Sequence, residues 1–198
     1  MINKIKYALA VALLAIVACP ASVWASLPYY NQSLGYTIWL GDGWVEAPDS
    51  LTRFTAYNEG LSAKSHGWKA VYSLGDSGNV SLLASELQGK MITRSSIAGF
   101  NRHVVRELKK LSTHPQGWSN KAGVILNKAN YDASKYVLRL EMDAMGPAGQ
   151  PMTTVVYIVY TRGAMLKFVG LAPFGDSKGV AAIDAAVSTL YLDQGLTH

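Results

Sequence analysis

Gly75-Asp76-Ser77-Gly78 sets a serine hydroxyl beside a carboxylate, a pattern found around the nucleophile of some serine hydrolases. A serine attacks only when a histidine removes its proton and a third group orients that histidine. His66 is the only histidine upstream, 11 residues before Ser77, whereas that class of enzyme spreads its three groups over a two-barrel body. A turn between strands accounts for the same four residues, because glycine and aspartate supply the backbone angles a turn needs. Gly175-Asp176-Ser177 repeats part of the pattern just ahead of an apolar-periodic run, where aspartate and serine serve as helix caps. His103 and Glu107, four apart, would share a helix face at the spacing of metal ligands. No third ligand follows at suitable spacing, so an ordinary half-exposed pair is expected, with no metal and no other cofactor. The chain carries no G-x-S-x-G elbow, glycine-rich phosphate loop or H-E-x-x-H.

The remaining chemistry is charge. Arg102, Arg106, Lys109 and Lys110 fall on one side of a helix, opposite Ile97 and Leu108. Such a face is either simply solvated or a contact for an acidic protein partner or for anionic lipid head groups. The whole chain has a formal charge of +5 in 198 residues, which falls to +3 if Lys4 and Lys6 are removed. That is far from the strong basic field of nucleic-acid binders, and no nucleic-acid partner is expected.

Lys4 and Lys6, followed by the 12 apolar residues Tyr7 to Ala18, have the form of an export signal. The apolar run is too short for a bilayer that needs ~20 residues. Pro20 breaks it, and Val23 and Ala25 fit the small-residue pockets of a signal peptidase, so cleavage after Ala25 is expected. The alternative is Ile16-Val17-Ala18-Cys19, which is similar to a lipobox and would make Cys19 the lipidated residue. Cys19 is the only cysteine, so a chain cut after Ala25 has no disulfide and no thiol chemistry. The expected organisation is a signal peptide at 1–25, a leader at 26–34, and a single domain at 35–198 in the periplasm or, if lipidated, on the cell envelope. Membrane contact would come only through lipid on Cys19 or through the basic helix face.

These groups must be positioned by strands and helices that the hydrophobic pattern marks out. Gly35 to Leu40 alternates as a short strand and Gly41 to Trp44 turns it, while 45–66 is loop-like. Trp68 to Leu74 and Val80 to Leu87 form a strand pair across the Gly75–Gly78 turn. Ile97, Phe100, Val104, Val105, Leu108 and Leu111 predict an amphipathic helix over 96–111, stopped by His114-Pro115-Gln116-Gly117. Strands follow at Gly123 to Tyr131, Lys135 to Asp143, Met152 to Thr161 and Met165 to Leu171. Lys135, Arg139 and Glu141 give the second of these a wet face, and Thr153 to Tyr160 is apolar on both faces, as a central strand would be. A last helix, Ser177 to Tyr191, is capped by Asp176. The order β-β-β-α-β-β-β-β-α with short links predicts an α+β fold, an antiparallel β-sheet with two main helices packed on it as an α/β/α sandwich.

Tyr36 to Pro48, "YTIWLGDGWVEAP", with the element order over roughly 34–192, resembles the PsbP-like family. The resemblance implies an α/β/α sandwich used as a binding or assembly scaffold, with relatives that include a photosystem II extrinsic subunit, a Ran-binding protein and periplasmic lipoproteins. It carries over no ligand residues. The expected function is therefore an exported, non-enzymatic binding or assembly module whose partner is an unidentified protein or envelope component. The alternative is a periplasmic hydrolase whose site assembles only in three dimensions.

Overall fold

The computed structural model describes residues 27–47, 67–75, 78–87, 92–112, 123–145 and 149–198. The expected signal peptide with Cys19, His66, Asp76, Ser77 and His114 lie outside these residues. The described elements run β1 (Leu27–Asn31), β2 (Tyr36–Leu40), β3 (Trp44–Glu46), β4 (Ala70–Leu74), β5 (Val80–Leu87), α1 (Ile97–Ser112), β6 (Val124–Asp132), β7 (Val137–Met145), β8 (Pro151–Tyr160), β9 (Met165–Pro173), α2 (Ser177–Ser188) and β10 (Tyr191–Leu192). Seven strands form one sheet in the order β3-β4-β5-β9-β8-β7-β6, and a three-stranded sheet has the order β1-β2-β10. Their pairings are antiparallel throughout. The chain leaves β5 in mid-sheet and returns at the far edge as β6, and α1 spans that gap.

Side-chain alternation divides the large sheet into two apolar faces. On β8, Val155, Tyr157 and Val159 join Ile183, Ala186 and Val187 of α2 and Tyr36, Ile38 and Leu40 of β2 in one core. Ile158 and Tyr160 point the other way, into a cluster with Ile97 of α1 and Leu138 and Leu140 of β7. The helices thus lie on opposite faces, the α+β sandwich that the pattern predicted. β8 lies between β7 and β9 and is buried along nearly its whole length, as its two-sided apolar run required.

Three elements differ from expectation. The irregular leader at 26–34 contains β1, which pairs with β2 from Leu27↔Leu40 to Asn31↔Tyr36. Asn31 closes that hairpin, accepting the Leu34 N–H on Oδ1 at 3.0 Å. Its residues, Leu-Pro-Tyr-Tyr-Asn, do not alternate between apolar and polar. Trp44–Glu46, expected as turn and loop, is strand β3, paired with β4. The last helix stops at Ser188 rather than Tyr191, with Thr189 as its C-cap. The Thr189 hydroxyl accepts the Trp39 N–H at 3.0 Å, and its proton lies between the Ala186 carbonyl at 2.6 Å and the Trp39 carbonyl at 2.9 Å. The chain then runs on as β10. At its start α2 behaves as expected, with Asp176 Oδ1 accepting the Gly179 N–H at 3.0 Å.

Tyrosine hydroxyls inside this fold make its stability fall in alkali. Tyr36 and Tyr72 meet hydroxyl to hydroxyl at 2.9 Å in the core. Burial is the largest cause raising both above their ordinary 10.0, and it raises Tyr157 and Tyr160 too. A group whose folded value is raised contributes stability that is complete below the unfolded value, and loses it as pH climbs toward the folded value. Urea unfolding is therefore expected to give constant stability from these groups up to about pH 9.5 and a steady decline above about pH 10. Native tyrosine absorbance that titrates wholly near 10, with no such decline, would contradict it.

Candidate functional site

Helix α1 is pinned at its C-terminal end, where the Ser112 hydroxyl donates to the Leu108 carbonyl at 2.8 Å and accepts the Leu126 N–H of β6 at 2.9 Å. Lys109 and Lys110 lie in its last turn, where the helix dipole favours cations. Its buried residues are Ile97 and Asn101, while Phe100 is half-buried with its ring edge-on to Tyr160 at 6.2 Å. Successive residues turn by about 100°. Positions 102, 105, 106, 109 and 110 therefore form a stripe beside the apolar one.

That stripe forms one wall of a groove of about 570 Å³. Arg102, Arg106, Lys109 and Lys110 all line it, with Val105 between them. The other wall is the sheet edge, Ala129 and Tyr131 of β6, with Leu138 of β7 below. Ala129 pairs with Leu140 and is exposed, and its single methyl leaves open the space a larger side chain would fill. The expected face is thus brought together, but beside the sheet edge rather than away from the fold.

Charge in the groove is unbalanced. The one carboxylate on α1, Glu107, takes Lys110 Nζ at 3.0 Å and Arg106 Nε at 3.3 Å. The hydrogen bond from Lys110 is the largest cause holding Glu107 below the usual carboxylate value. Among the described residues Arg102 and Lys109 make no salt bridge.

Asn101, which sequence reasoning passed over, lines the same groove while only 5% exposed. Tyr160 donates its hydroxyl proton to Oδ1, and Nδ2 is buried with no hydrogen-bond partner. A buried donor left unpaired costs about 1–3 kcal/mol. The signal was present in the sequence, because position 101 lies one turn from Ile97 and from Val105 yet is polar.

Among the described residues the other candidate patterns bring no site together, and His66, Asp76 and Ser77 lie outside them. His103 Nδ1 stands 4.0 Å from Glu107 but accepts Arg106 at 3.0 Å, and no three metal-ligating side chains converge among the described residues. Gly75 and Gly78 both have positive φ, 68° and 58°, as a turn requires. Asp176 is a helix cap.

A second polar cluster sits on the opposite face, under α2. Arg139 Nε and Nη2 bond both oxygens of Asp184, at 2.7 and 2.9 Å. Nη2 also bonds Glu141 at 2.9 Å, Lys128 reaches Glu141 at 3.3 Å, and the Tyr157 hydroxyl donates to Asp184. Burial disfavours the Arg139 charge, but Asp184 and Glu141 more than offset it. Each charge here faces an opposite one, so the expected wet face of β7 is largely an ionic tie to α2. The α1 groove is the better site because its charge and its donor are unsatisfied.

No family model matches the sequence, and no curated protein matches it. In structure the chain is similar to cyanobacterial PsbP (CyanoP) from Synechocystis sp. PCC 6803. That match has 14% identity and a TM-score of 0.46, over 88% of this chain and 97% of that one. It is also similar to LpqN, involved in cell envelope biogenesis of Mycobacterium tuberculosis, with 16% identity and a TM-score of 0.44, over 85% and 90%. Both are distant likenesses. No helix among the described residues is long and apolar enough to cross a membrane.

Proposed function

We propose that this chain is an exported, non-enzymatic binding module that engages an anionic component of the cell envelope through the groove between α1 and β6. One observation carries the reading: four cations and an apolar floor line a single groove, and the one carboxylate of α1, Glu107, pairs with only two of them. Concave sites with an apolar lining and a few placed polar groups are where proteins take ligands. A cluster of one sign also concentrates opposite charge at its mouth. The signal-like segment from Lys4 to Ala25 supports the export half of the reading.

The test replaces Arg102, Arg106, Lys109 and Lys110 together by glutamine. Glutamine keeps helix propensity and does not oppose the dipole as glutamate would. The wild type is expected to bind phosphatidylglycerol-containing vesicles or poly-glutamate at low salt, release them at about 0.5 M salt where screening is nearly complete, and ignore phosphatidylcholine. The fourfold variant should keep its melting temperature and lose that binding by at least about tenfold, since each surface cation contributes roughly 1 kcal/mol at an anionic interface. Equal binding by the two proteins, or no salt-sensitive binding by either, would overturn the reading.

A further inference from the structure

We propose that the groove holds one molecule of a single-chain anionic amphiphile, its phosphate or carboxylate head among Arg102, Arg106 and Lys109 and its chain along the apolar floor. This rests on the groove being the binding site. Three features select that chemistry together. Unbalanced positive charge selects an anion. Val105, Ala129 and Leu138 offer a free inorganic anion nothing, but they match a hydrocarbon chain. The buried Asn101 Nδ2, whose amide already receives the Tyr160 hydroxyl on its other end, is a donor waiting for an oxygen of the head or its ester linkage. A volume of about 570 Å³ suits one small molecule, within the ~300–1,000 Å³ usual for ligand pockets.

The experiment is calorimetric titration with dodecyl phosphate below its micelle concentration, beside inorganic phosphate and uncharged dodecyl maltoside. One-to-one binding of dodecyl phosphate is expected, with inorganic phosphate about 100-fold weaker because no methylenes are buried. Dodecyl maltoside should also be much weaker, and insensitive to salt. Ala129→Phe changes an exposed strand position and fills the groove. It should cut dodecyl phosphate binding at least about tenfold without lowering the melting temperature, because position 129 is exposed. Asn101→Leu should cost about tenfold for the lost donor. Equal affinity for inorganic and dodecyl phosphate would overturn the proposal, as would no loss in Ala129→Phe. If vesicles bind through the four cations but dodecyl phosphate does not, the amphiphile falls and the anionic-surface reading stands. If only poly-glutamate binds, and Ala129→Phe is silent, the face docks acidic protein instead.

Discussion

Phe168→Ala is expected to lower the unfolding free energy by about 3–5 kcal/mol, the range for a fully buried phenylalanine cut to alanine. Phe168 is 0% exposed on β9, between Ala84 of β5 and Tyr157 of β8. Its ring meets Tyr36 edge-on, with centroids 5.1 Å apart at 70°. Tyr36 belongs to the three-stranded sheet, so this is one of the contacts that seat the small sheet on the large one. Removing the ring loses its transfer energy, leaves a cavity, and strips Tyr36 of a partner while its hydroxyl stays fixed to Tyr72. Val45→Ala, at a position 53% exposed, should cost less than about 0.5 kcal/mol and serves as the control. Urea unfolding with an unchanged slope measures both. A loss below about 1 kcal/mol for Phe168→Ala would mean that the two sheets do not depend on this contact.

Gly170→Val is expected to destabilise by about 3 kcal/mol, at the upper end of overpacking effects. A Cβ at Gly170 would stand 2.4 Å from Ile183 Cγ2 and 2.8 Å from Cδ1. Ile183 is fully buried, and a β-branched side chain on a helix has almost no alternative rotamer with which to move aside. The strain must go into lifting α2 from the sheet, which would also loosen the Arg139–Asp184 tie. Ile183→Ala alone should cost about 2–5 kcal/mol as a cavity. In the double variant the valine occupies the space that Ile183 vacates, so the combined cost should fall short of the sum by at least about 0.5 kcal/mol. Simple additivity would show that the helix does not rest on Gly170.

The two helices illustrate what separates a tie from a site. Under α2, Arg139, Asp184, Glu141 and Lys128 pair off, and Tyr157 completes the set. Beside α1, the sheet ends at β6, and Arg102 and Lys109 share the groove with a small alanine and an aromatic edge, while Glu107 pairs with Arg106 and Lys110. The first arrangement holds a layer in place. The second leaves attraction unspent.

Much of this molecule was determined locally and is therefore legible in the sequence. The apolar periods of α1 and α2, the Asp176 cap, the strands of the β6–β9 meander and the two-sided burial of β8 follow from side chains within one element. The gathering of Arg102, Arg106, Lys109 and Lys110 on one flank follows from helical spacing alone. What lies against that flank does not. Periodicity reports where a residue sits around its own axis, and says nothing of the neighbour that will face it. Ala129 and Leu138 come from other strands, and only the sheet order, with β6 at the edge, makes them the far wall of the groove. Asn101 was visible as a polar interruption, but its burial needed Tyr160, 59 residues on. The three-stranded sheet is the extreme case. β2 alternates visibly, but β1 does not and β10 has two residues, and the bonds from Trp39 to Thr189 span 150 residues, so the third strand joins only where the fold has brought α2 and β2 together.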